Sequence, residues 1–186
     1  MKNSQKGFAL PISLMLLIVM AIMGTALVSI TSGDMRSNKE RDSNSQAFYA
    51  AESGISMAKQ YLKNQKNYNS GVAPNVRFCY TNLFPNLRQG TVKTINNFVG
   101  RNNLGDVMRG IGASGKEVNR LNKFSYEFFI TYSPDKDGNT NSAQTKPGTK
   151  QTLYTIHSCG CDGSVTQCRS QNNNIVSLEA VVTIIE

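Results

Sequence analysis

Between Lys6 and Asp34 the chain carries no charged residue, and Phe8 to Ile30 reads FALPISLMLLIVMAIMGTALVSI. As an α-helix rising about 1.5 Å per residue, this run spans roughly 34 Å and crosses the hydrocarbon core of a bilayer. Lys2 and Lys6 precede it. Basic residues flanking a span stay on the cytoplasmic side, so everything after Ile30 is expected to face away from the cytoplasm. A cleavable secretory signal has an apolar core of about 7–15 residues followed by a small-x-small site, and this run continues well past that length. The sequence therefore predicts a retained helix over 8–30. Pro11 falls in its first turn, where a missing N–H removes no helical hydrogen bond. Gly24, Thr25, Ser29 and Gly33 weaken the helix further along, and Gly24 is a candidate for close helix packing.

Residues 34–47 are polar on nearly every side, after which apolar spacing resumes. Phe48, Ala51, Ile55, Ala58 and Leu62 follow at intervals of three and four, one face of an amphipathic helix, with Lys59, Lys63 and Lys66 outside. This stripe is expected to dock a globular head, and the Asn- and Gly-containing segment 64–71 to end the helix. From 72 to 123 repeated glycines predict mostly loop with one short helix or strand pair. The last third is clearer. FSYEFFITY at 124–132 alternates, with Phe124, Tyr126, Phe128, Ile130 and Tyr132 on one side, and predicts a strand buried on its aromatic face only. TLYTIHS at 152–158 and NIVSLEAVVTIIE at 174–186 read as two more strands, the latter with Val176, Leu178, Ala180, Val182 and Ile184 on one face. Asp137-Gly138 and Asp162-Gly163 are turn dipeptides, so the sheet is expected to be antiparallel. The fold class is thus α+β: a long N-terminal helix, half membrane-spanning and half amphipathic, packed on an antiparallel sheet head over 67–186.

The opening MKNSQKGFALPISLMLLIVMAIMG resembles the start of a type IV prepilin or pseudopilin, with a short charged leader ending in Gly7, then Phe8 and an apolar helix. QAFYAAESGI at 46–55 is similar to the segment that follows this helix in PilX-like minor pilins. The resemblance implies a leader over 1–7, removed by a membrane prepilin peptidase that methylates Phe8, and a helix over 8–66 that anchors the precursor in the inner membrane. It implies a structural minor subunit of a type IV pilus, with other pilins and minor pilins as partners, packing through Pro11, Ile12 and Gly24. In major pilins the position of Ile12 is usually Glu. Its replacement by an apolar residue fits a tip subunit that primes assembly, because a carboxylate with no amine to meet would be costly to bury. A pseudopilin of a type II secretion system, or a pilus-borne module for adhesion or DNA uptake, are the alternative readings.

Four cysteines, Cys79, Cys159, Cys161 and Cys168, would lie outside the cytoplasm, where disulfides form. A Cys159–Cys161 bridge is disfavoured because alternate strand residues lie nearly 7 Å apart at about 3.3 Å rise each. Two pairings remain: Cys79–Cys159 with Cys161–Cys168, or Cys79–Cys161 with Cys159–Cys168. A zinc site is disfavoured by the Cys-x-Cys spacing, and no metal or cofactor is expected.

The formal net charge of +8 favours acidic partners. Arg77, Arg88, Lys93, Arg101, Arg109, Lys116, Arg120 and Lys123 concentrate basic charge on a Gly- and Asn-rich stretch, a surface of the kind that contacts DNA phosphates or a host surface. Enzyme motifs fail: GIGASG at 110–115 has no convincing strand before it, and the only histidine, His157, sits in a strand beside Cys159, so no enzyme is expected. The alternating Asp135, Asp137 and Asn139 lack the Gly and Glu of a calcium loop and predict a hairpin turn.

Overall fold

The computed structural model describes residues 9–65, 68–69, 71–168 and 174–185. The chain forms two units, up to Asp42 and from Ser43 onward. Helix α1, Ala9–Asn64, supplies the described part of the first unit and the opening of the second. Helical structure extends through the polar stretch 34–47, where Arg36 and Glu40 pair across one turn at 3.4 Å.

The second unit holds one antiparallel sheet. Strands β1 (Val99–Asn103), β2 (Phe124–Tyr132), β3 (Gln144–Thr145), β4 (Gln151–Asp162) and β5 (Ile175–Ile185) follow in chain order. β2 pairs with β1 and β4, β5 pairs with β4, and β3 continues the pairing along β4. The alternating stretches read from the sequence thus form the three long strands, with β4 reaching to Asp162. The segment 72–123 departs from expectation in detail. It contains β1 as well as two short helices, α2 (Leu104–Gly110) and α3 (Lys116–Leu121), and GIGASG connects those helices instead of following a strand.

Both faces of β2 and of most of β4 are covered, while Val181 and Ile185 of β5 stay exposed. On one, Tyr126, Phe128 and Ile130 of β2 and Tyr154 and Ile156 of β4 pack with Ala50, Ala58 and Leu62 of α1. The docking face differs from the expected stripe: Ala47, Ala50, Ala51, Gly54, Ala58 and Leu62 are buried, while Phe48 is 44% exposed. The reason is proximity. A Cβ at Gly160 of β4 would overlap the carbonyl oxygen of Ala47 and the amide nitrogen of Ala51, and Ser158 Oγ donates to the carbonyl of Ala51 at 2.7 Å. Only small side chains fit where helix and strand backbones come this close, so size rather than hydrophobicity selects the face.

The second face overturns the expectation that β2 is buried on its aromatic side alone. Ser125, Glu127, Phe129 and Thr131 are buried as well. Phe78, Phe84, Leu87 and Val92 from the irregular segment before β1 lie over Phe129, Cys159 and Cys161 and form a second core.

Candidate functional site

The first unit has the chemistry of an anchor. Its large apolar side chains are exposed, Leu10 at 75% and Ile12 at 52%. Each hydroxyl within or just beyond the apolar run bonds back to its own helix: Ser13 to the carbonyl of Leu10, Thr25 to Ile22, Ser29 to Thr25, Thr31 to Leu27 and Ser32 to Val28, at 2.7–3.1 Å. A polar group left unmatched in hydrocarbon would cost several kcal/mol, and these are matched before any neighbour arrives. The helix is long and apolar enough to cross a membrane. Pro11 occupies its first turn, and a Cβ at Gly24 would meet nothing within 4 Å, so the chain's own packing places no demand for glycine there. Gly7 and Phe8 lie outside the described residues.

In the second unit Cys79 bonds Cys159 and Cys161 bonds Cys168, and no described cysteine is free. One bridge ties the second layer to β4 and the other closes a small loop after it. Beside the first bridge lies a residue that sequence reasoning passed over. Glu127, fully buried in β2, accepts the backbone N–H groups of Arg77, Phe78 and Cys79 at 2.9–3.0 Å and pairs with Arg101 Nε at 3.1 Å. The carboxylate therefore holds an irregular segment that has no ladder of its own. The signal was a lone charged residue in a strand rich in aromatic side chains.

The same geometry reduces the candidate DNA surface. Arg101 is committed to Glu127 and to the carbonyl of Asn75, Arg109 to Asp106 and Arg120 to Glu117. Arg77, Arg88, Lys93, Lys116 and Lys123 are exposed.

His157 is buried between Phe84 and Phe129, with Nε2 3.2 Å from the Thr131 hydroxyl and Nδ1 3.3 Å from Glu179 Oε1. Burial pushes its pKa below the usual value, against the pull of Glu179. Glu179 is held down mainly by His157, with Asn86 donating to its other oxygen at 3.1 Å. The Thr131 hydroxyl beside it is fully buried as well, out of reach of a substrate, so the ring-packed histidine serves the core. The Asp135 loop is a tight turn: its carboxylate accepts the N–H groups of Asp137 and Asn139 at 2.9 Å, and Gly138 takes a φ of 78°. These bonds hold the Asp135 carboxyl below its ordinary range. No group of metal-ligating side chains occurs among the described residues.

An apolar α1 leading into a disulfide-braced antiparallel sheet defines an α+β, pilin-like protein. Residues 6–56 match the family model described as PilX N-terminal, so over a little more than a quarter of its length the chain is similar to PilX-like minor pilins of type IV pili. No curated protein and no solved structure matches the chain.

Proposed function

We propose that the chain is a structural minor subunit of a type IV pilus, made as an inner-membrane precursor and carrying a periplasmic head until assembly. The observation that carries this reading is the PilX-like match over an exposed apolar helix whose hydroxyls are all internally bonded. Such a helix leaves lipid for a bundle of like helices without breaking a hydrogen bond, so shape sets the specificity of packing. A prepilin peptidase cuts after Gly7 and methylates Phe8. Pro11, Ile12 and Gly24 then face neighbouring subunits. Ile12 brings no carboxylate into the filament core, which suits a subunit at the tip that starts assembly.

Mass spectrometry of protein from peptidase-positive cells should find methylated Phe8 at the N-terminus; a start beyond Ile30 would replace this reading with ordinary secretion. Deletion should lower the number of filaments more than their length, and labelled subunits along the whole shaft would contradict the tip position.

A further inference from the structure

Edge strands of natural sheets are usually short, or carry Lys, Pro or a bulge that discourages another strand from pairing. β1 conforms, with five residues including Arg101 and two asparagines. β5 does not. Its eleven residues keep an unbroken register with β4, from Gln151 opposite Ile185 to Cys161 opposite Ile175, and among the described residues it pairs with β4 alone. Its only charge, Glu179, turns to His157 and Asn86. Beside this edge, Lys59, Leu62 and Lys63 of α1 and residues 181–184 line a groove of about 360 Å³. Both lysines are exposed, and neither has an ion-pair partner among the described residues.

We propose that β5 accepts an extended, acidic segment of another protein as an added strand. Its main chain pairs with the outer side of β5, its alternate apolar side chains enter the groove beside Val182 and Ile184, and a carboxylate meets Lys59 and Lys63. Charge selects this occupant over a second copy. The chain carries a formal +8, and the only carboxylate that the described residues of a second β5 would bring, Glu179, lies on the sheet face opposite α1. The edge is present whether or not the chain enters a filament.

The test uses the full chain in detergent micelles and a fluorescent peptide of about nine residues, a strand's length, alternating Val and Thr and ending in Asp-Asp. Anisotropy should show binding. A version ending in Lys-Lys should bind about tenfold more weakly, and a version N-methylated at alternate residues should not bind. Lys59→Glu combined with Lys63→Glu, both at exposed sites, should reverse the charge preference. Failure of the acidic peptide to bind, equal binding of the acidic and basic peptides, undiminished binding of the N-methylated one, or a homodimer that Val181→Lys dissolves would each overturn the proposal.

Discussion

Gly24 of the first unit and Gly160 of the second have opposite surroundings. At Gly24 an added methyl would meet nothing, whereas at Gly160 it would run into the backbone of α1. The same contrast holds for other side chains. Ile12 and its apolar neighbours are exposed, while the alanines at 47, 50, 51 and 58 are fully buried. In the first unit, residues that look like core material are directed outward and await other molecules. In the second, residues too small to look like core material are where packing is tightest. Hydrophobicity alone therefore does not locate a core; closeness of backbones does.

Four measurements sharpen that contrast. Replacing Cys79 and Cys159 with Ala should cost about 4–5 kcal/mol in denaturant unfolding, because this bridge closes a separation of 80 residues; replacing Cys161 and Cys168, separated by 7, should cost about 2 kcal/mol. An equal loss from both would mean the second layer is not held from within. Gly160→Ala should cost about 3 kcal/mol through overpacking, while Gly24→Ala should leave unfolding of the head within about 0.5 kcal/mol of the original. If Gly24→Ala destabilised the head comparably, the distinction between the units would fail.

Glu127→Gln should cost about 2–3 kcal/mol, since Arg101 keeps its charge and three backbone N–H groups lose a carboxylate. Hydrogen exchange at residues 77–79 should accelerate in this variant; unchanged exchange would show that the segment is held by its apolar contacts alone. The smallest effect concerns pH. His157 has a folded pKa below its ordinary 6.5, so the unfolded chain binds the extra proton and stability should fall as pH drops below about 6.5. Glu179 is also depressed, and its contribution should be lost as pH falls below its ordinary 4.5. Unfolding midpoints measured from pH 7.5 to 5 should decline for the native chain, and a His157→Gln variant should flatten that slope.

Periodicity made α1, β2, β4 and β5 legible, because each repeats long enough for its 3.6- or 2-residue pattern to show. The anchor was legible for the simpler reason that no charge interrupts it. The second core was not. Ser125, Glu127, Thr131 and His157 are residues that normally face water, and what covers them is a segment before β1 with no period at all. β1 escaped notice because VGRNN is short, polar and an edge strand. Phe48 was misplaced for a different cause: a large ring suits an apolar stripe, but Gly160 brings β4 too near α1 to admit one. The disulfide partners were narrowed by strand geometry to two sets, and choosing between them required knowing that the segment around Cys79 crosses β4 at Cys159.

β4 receives attachments on both sides. Residues 158 and 160 meet α1, residues 159 and 161 carry the two bridges, and β2 and β5 flank it. In mechanical terms, tension applied to the head through its helix enters at the strand with the most simultaneous connections. Such a load meets two flanking strands at once, and the Cys79–Cys159 bridge carries part of it to the opposite layer.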